Sequence, residues 1–344
     1  MGDLESRRVK ASLRDIAKAA NVSVSTVSRY LSGQLTLKDD TQKRVKSALL
    51  DAGYRDGRSN PLPSVNRLTA TIGLLIPHTA NSYYGRLADA VVRAADEQGL
   101  YVILLSTLSN PTRQVDYLEL ATSLGLGGLV YAGNYRTNDA LAKVVASGIP
   151  TVLIDEDVDG IPPTDKVLID DYAGAYQAVT YLCSQGHRSI ALLTGPEELR
   201  SSRERRRAYG DVLTRHGVQP SDQFMMQGSF TEAFGAAAFA RAIAAEDRPT
   251  AIFAASDVIA LGVISAAASF GISIPSEISL VGFDDIPEAR LVLPHLTTVR
   301  TPLAEISTTA ITLLRARMAG ADRPSETVMI SANLEIRGSV TSQR

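Results

Sequence analysis

Short apolar runs in this 344-residue sequence are repeatedly followed by residues suited to hydrogen bonding. Tyr83-Tyr84 comes after Ile72–Ile76, Asp155-Glu156-Asp157 after Thr151–Ile154, and Arg203-Glu204-Arg205 beyond Ile190–Leu193. Ser256-Asp257 follows Ala251–Ala255, and Asp284-Asp285 follows Leu280–Phe283. Carboxylates accept from paired hydroxyls, a guanidinium donates in a fork, and aromatic faces cover the C–H surface of a sugar ring. Converging on one cleft, such groups would suit a small polyhydroxylated ligand. Taken singly, Asp157 and Asp285 read equally well as helix caps or surface acids.

A second set lies near the N-terminus, where Ser25, Ser28, Arg29 and Ser32 fall on one side of a short helical pattern. Short hydroxyls and one long guanidinium suit phosphates and guanine edges in a major groove. The positioning elements are three short helices. Leu13, Ile16, Ala17 and Ala20 form a buried stripe with Ser12 and Asp15 as a capping box, so a first helix spans about 13–20. Asn21-Val22-Ser23 makes the turn, since Asn tolerates a left-handed backbone and Ser23 can cap the next helix. Val24, Val27 and Leu31 are expected to point inward from that second helix. Val45, Ala48, Leu49 and Ala52 do so from a third, which carries Lys43, Arg44 and Lys46 outside. The first sixty residues hold 12 basic against 7 acidic side chains, the remainder 23 against 30. Positive charge, a capped tight turn and a polar second helix together predict a helix-turn-helix that enters DNA.

From Thr71 onward apolar runs, including Val102–Leu105, Gly128–Tyr131 and Val167–Ile169, alternate with helical patterns such as Leu87–Ala95, Ala175–Cys183 and Val258–Phe270. That alternation predicts parallel sheets covered on both faces, and its length predicts two α/β subdomains. Ligands of such sheets bind beyond the carboxyl ends of the strands, where the polar clusters stand. Residues 55–71 are polar, contain Pro61 and Pro63, and read as a linker.

The stretches SLRDIAKAANVSVSTVSRYLSG and TQKRVKSALLDAGY resemble the N-terminal module of the lactose-repressor (LacI) family of bacterial regulators. IGLLIPHTANSYYGRLADAV, GHRSIALLTGP, RERRRAYG, AIFAASDVIALGV, ISLVGFDDIP and LTTVRTP are similar to that family's core, itself similar to periplasmic sugar-binding proteins. The resemblance implies base reading by Val24, Ser25 and Arg29, and phosphate contacts from Ser23, Thr26 and Ser28. Asn21 stands where the family usually has glycine. A hinge helix starting near Pro61 would leave Leu62, Val65 or Leu68 as the minor-groove wedge. Effector contacts are implied for Tyr83, Tyr84, Asp155, Arg205, Phe230, Ser256 or Asp257, and Asp284, with Arg203 a rival to Arg205. The implied division is a helix-turn-helix domain at 1–57, a hinge at 58–70 and an effector-binding core at 71–344. Within the core, an N-subdomain takes about 71–168 and 299–330, a C-subdomain about 169–298 and 331–344.

The expected protein is a cytoplasmic repressor, a homodimer on a near-palindromic operator, controlled by a small sugar-like effector and needing no cofactor or metal. The family's tetrameric versions add a heptad tail, whereas this sequence ends Thr341-Ser342-Gln343-Arg344. An enzyme acting on sugars would need a phosphate-cradling glycine loop or a metal-ligand set. Gly125-Leu126-Gly127-Gly128 precedes a strand instead of following one and reads as a turn. The single Cys183 makes no disulfide, and His187 reads as structural, while His78 follows the first strand and can face the ligand. A transport binding protein would begin with a signal peptide, and no apolar run reaches membrane-spanning length.

Overall fold

The computed structural model describes residues 13–31, 35, 37–51, 69–133 and 136–343. Ser12, Ser32, Ala52, Tyr54, Leu62, Val65 and Leu68 lie outside the described residues, as do the side chains of Leu31 and Lys46. The chain divides into two compact units, residues 1–67 and 68–344.

In the first unit, α1 (Leu13–Ala19), α2 (Val24–Leu31) and α3 (Asp39–Asp51) pack around Ile16, Ala17, Ala20, Val27, Tyr30, Val45, Ala48 and Leu49. The described members of the α1 and α3 stripes lie inward as the spacing predicts, Leu13 only partly buried. In α2 the inward pair is Val27 and Tyr30, at i and i+3, and Val24 is not inward but 41% exposed. Val24 opens the first turn, outside the three-helix core, so the periodic extrapolation fails at the helix end.

The second unit holds two six-stranded sheets. Strands β1 (Thr71–Ile76), β2 (Tyr101–Ser106), β3 (Gly128–Tyr131), β4 (Thr151–Ile154) and β5 (Asp165–Ile169) build the first. The second contains β6 (Ile190–Thr194), β7 (Met225–Gln227), β8 (Ala251–Ala254), β9 (Ser279–Asp284) and β10 (Thr297–Arg300). β11 (Thr327–Ile330) then completes the first sheet and β12 (Asn333–Glu335) the second. The orders are β11-β5-β4-β3-β1-β2 and β12-β10-β9-β8-β6-β7, all parallel except β12 against β10. Both sheets thus repeat one winding, with a reversal beside the first strand of each.

Helices α4 (Ser82–Glu97), α5 (Pro111–Leu124), α6 (Asp139–Ala146) and α11 (Leu303–Met318) serve the first sheet. Helices α7 (Asp171–Ser184), α8 (Arg200–Arg215), α9 (Glu232–Ile243) and α10 (Asp257–Phe270) serve the second. The central strands are buried on both faces, which explains unbroken apolar runs such as β1, where all six residues are buried, whereas β2 at the edge of the first sheet is mostly exposed. The edge strands β7, β11 and β12 carry few buried side chains and give little apolar signal.

The chain crosses between sheets three times: after Ile169, after Arg300 and after Ile330. Val299 and Arg300 still pair with β9, so all of β10 belongs to the second sheet.

Candidate functional site

Asn21 has φ 52, a left-handed conformation that asparagine tolerates, and it turns the chain out of α1. The Ser23 hydroxyl then accepts from the Thr26 backbone N–H at 3.0 Å, satisfying one of the unpaired donors at the start of α2. The same oxygen lies 2.7 Å from both the Ser25 and Thr26 hydroxyls. Val24, Ser25, Ser28 and Arg29 are exposed, while Thr26 is half-buried. This capped helix therefore presents an apolar side chain, two hydroxyls and a guanidinium on one outward surface, the mixture that reads base edges and thymine methyls.

In the second unit the carboxyl ends of both sheets face one cleft. Asn81 caps α4 by accepting from Tyr83 N–H at 2.9 Å, which sets Tyr83 and Tyr84 in its first turn. Their rings meet edge to face at 5.2 Å. Tyr83 donates to Asp155 Oδ2 at 2.9 Å, and Asp155 Oδ1 takes no hydrogen bond from the protein. Across the cleft Arg205 is buried on α8. Its Nε donates to Asp171 Oδ1 at 2.9 Å, Nη1 to Ala255 O at 2.5 Å, and Nη2 stands 4.0 Å from Asp284 Oδ1. Its guanidinium also stacks on Phe283, 3.6 Å from the ring centre.

Asp155 and Asp284 both stand at strand ends with positive φ, 74 and 114. Such backbone costs a non-glycine residue about 1–3 kcal/mol and persists where neighbours over-determine it. Here it aims two carboxylates into one recess of about 30 Å3, lined also by Tyr83, Tyr84, Arg205 and Ser256. Burial raises Asp155 to about 6, with the Asp171 charge adding to the effect and Arg205 opposing it. Burial likewise pushes Asp284 well above the carboxylate range against the pull of Arg205. The Arg205 guanidinium loses solvation but is held firmly protonated by Asp171, Asp284 and Asp155.

Glu156 performs a different task. It accepts from Arg200 N–H at 2.6 Å, Ser201 N–H at 3.3 Å and the Ser201 hydroxyl at 2.5 Å, so an acid of the first sheet's subdomain caps α8 of the second. Burial and the neighbouring Asp155 charge raise it to about 8. Two more bonds cross the cleft: Ser82 Oγ to Glu288 Oε1 at 2.6 Å and Arg86 to Asp285 O at 2.7 Å.

The recess opens into a larger chamber of about 490 Å3, sharing Asn81, Tyr84, Leu199 and Phe230 with it. Phe230 reaches the boundary because Gly195 leaves it room; a Cβ there would stand 2.2 Å from the phenyl ring. His78 lines the chamber, its Nδ1 accepting from Ala80 N–H at 3.2 Å.

The cleft thus brings together Tyr83, Tyr84, Asp155, Arg205, Phe230, Ser256 and Asp284. It does not bring in Asp257, fully buried, whose oxygens accept from Ile286 N–H at 2.9 Å and Thr298 Oγ1 at 2.5 Å. Burial raises that acid to about 7. Arg203 turns back on the Glu197 and Glu198 carbonyls. Asp285 holds Arg290, Arg300 and Arg337, Asp157 holds Lys166, and His187 bridges Thr250 and Thr341. Residues the motifs did not single out are Asp171, which orients Arg205, and Glu288, whose only flag was its position after Asp284-Asp285. Among the described residues no cluster of three His, Cys, Asp or Glu could hold a metal, and no helix is long and apolar enough to cross a membrane.

Residues 12–56 match the family described as bacterial regulatory proteins, lacI family, and residues 179–340 match a periplasmic binding protein-like domain. The chain is 32% identical to the HTH-type transcriptional repressor PurR of Erwinia tasmaniensis, over 96% of this chain and 97% of that protein. Its fold superposes on the transcriptional regulator CelR–cellobiose complex with a TM-score of 0.73 at 25% identity, covering 96% and 99% of the two chains. A LacI family regulator from Enterococcus faecium with bound ribose gives 0.72 at 26% identity, covering 80% and 100%.

Proposed function

Because this chain belongs to the lacI family of bacterial regulatory proteins, we propose that its α2 face reads a near-palindromic operator and its cleft binds a small sugar-like effector that sets operator affinity. It is a DNA-binding transcriptional regulator and not an enzyme. The observation that carries the reading is Val24, a β-branched apolar residue exposed at the start of a capped helix whose Val27 and Tyr30 are buried. Exposure there makes sense against a groove with thymine methyls. Arg29 and Ser25 take base edges in this reading, and Ser23, Thr26 and Ser28 take phosphates. A regulator of chromosomal operators works in the bacterial cytoplasm.

In the cleft, Asp155 and Asp284 accept effector hydroxyls, Arg205 donates, and Tyr84 with Phe230 covers apolar ring faces. A ligand shifts an equilibrium only by its differential affinity for two arrangements, so the groups that contact it from both subdomains carry the coupling. Operator binding by fluorescence anisotropy, with and without a sugar found by thermal shift, tests this. Arg205→Ala and Asp284→Ala are expected to bind operator yet lose the response to the sugar. A parental response in either variant removes that residue from the effector site.

A further inference from the structure

The recess and the chamber differ in size and in chemistry. The recess, at about 30 Å3, has room for only one or two groups of hydroxyl size, since a water needs about 10–15 Å3 of such space. The chamber, at about 490 Å3, exceeds by more than twofold the roughly 180 Å3, or six waters' worth, that one pyranose displaces. Beyond the recess the chamber runs on past Val258, Leu261 and Ile286, which the recess does not share.

Charge narrows the class further. Among the described residues no lysine or arginine lines the chamber, whereas Glu232 and Glu288 do. Glu288 spends one oxygen on Ser82, and its buried Oε2 takes no hydrogen bond from the protein. Asp155 Oδ1 in the recess is in the same position. A buried acceptor without a donor is unfavourable, and a hydroxyl donor relieves it where a phosphate cannot.

We propose that the effector is a neutral two-ring glycoside. It inserts one hydroxyl into the recess of Asp155, Arg205 and Asp284. Its first ring lies between Tyr84 and Phe230, and its second ring fills the chamber and donates to Glu288. This rests on the cleft being the effector site, and it decides between ligands of one ring and two, both of which occupy related folds.

The test is calorimetric titration and thermal shift of the full chain with glucose and galactose, with cellobiose, maltose and lactose, and with glucose 6-phosphate. At least one disaccharide is expected to bind tenfold or more tighter than its constituent monosaccharides, with glucose 6-phosphate weaker than glucose. Ser229→Trp on the exposed chamber wall, and Leu261→Trp on α10, should each bring the disaccharide down towards the monosaccharide's affinity. Monosaccharides binding as tightly as every disaccharide, with neither tryptophan altering the ratio, would overturn the two-ring assignment and leave the cleft reading standing. Binding of none of these sugars would remove both.

Discussion

Arg29 is exposed on α2 beside the short side chains of Ser25 and Ser28, and it is the group there whose guanidinium can donate in a fork. A bidentate contact with guanine is worth about 1–3 kcal/mol of discrimination. Arg29→Ala is therefore expected to weaken the cognate operator by that amount and to relax preference at one position per half-site, read by anisotropy on a set of single-base operator variants. Equal weakening on every variant would assign Arg29 to phosphate instead. The cleft arginine illustrates how far a residue's role is legible. Arg205 lies on the buried stripe of α8 with Ala208, Tyr209 and Val212, at i+3, i+4 and i+7, whereas Arg203, Arg206 and Arg207 fall off it. That spacing was available to separate Arg205 from Arg203. Its partner Asp171 was not, because an acid in the first turn of a helix ordinarily signals only a favourable dipole contact.

At the scale of elements, α9 and α10 approach until backbone meets backbone. A Cβ on Gly262 would sit 2.0 Å from Glu232 O, and one on Gly235 2.1 Å from Ile259 O. Gly262→Ala is expected to destabilise by about 1–3 kcal/mol, the overpacking outweighing the gain of roughly 1 kcal/mol in helix propensity. Gly210→Ala on α8, where a Cβ meets nothing within 4 Å, should instead stabilise by about 0.5–1 kcal/mol. Urea unfolding of the two variants decides, and equal signs would sink the packing argument.

The loop after β9 is fastened differently, through Asp285. Burial would raise this carboxyl, but hydrogen bonds from Arg290, Arg300 and Arg337 outweigh burial and hold it at about 2. A depressed acid stabilises the fold above its unfolded value near 4, and that contribution fades as pH falls towards the folded value. It amounts to about 2–3 kcal/mol. The stability difference between the parent and Asp285→Asn should accordingly shrink as pH drops from 5 to 3. A difference independent of pH would mean that the three arginines do not act through this charge.

For the whole molecule, one helix-turn-helix reads only a few base pairs, and a two-fold pair of them reads half-sites about one helical turn apart. The edge strand β2 exposes Tyr101 and Ile103 on one face and Leu104 on the other, apolar surface that an isolated sheet edge would ordinarily blunt with charge. A homodimer is expected by light scattering, with Ile103→Lys shifting it towards monomer and weakening a two-half-site operator far more than a single half-site. A tetramer, or a monomer that binds the paired site as tightly, would contradict this.

Local periodicity alone determines much of this protein. The stripes of α1 and α3, the apolar strands of two covered sheets and the polar residues at their carboxyl ends all come from 3.6-residue and fully buried strand patterns. These reflect how each segment meets the core. The tertiary structure alone decided what stands opposite what. Glu156 caps a helix that begins 44 residues later, Asp171 orients Arg205 across 34 residues, and Ser82 meets Glu288 across 206. Such partners are set by two sheets and three chain crossings. Acids and hydroxyls of ordinary local character therefore become cleft residues only when the subdomains fold against each other and take their water away.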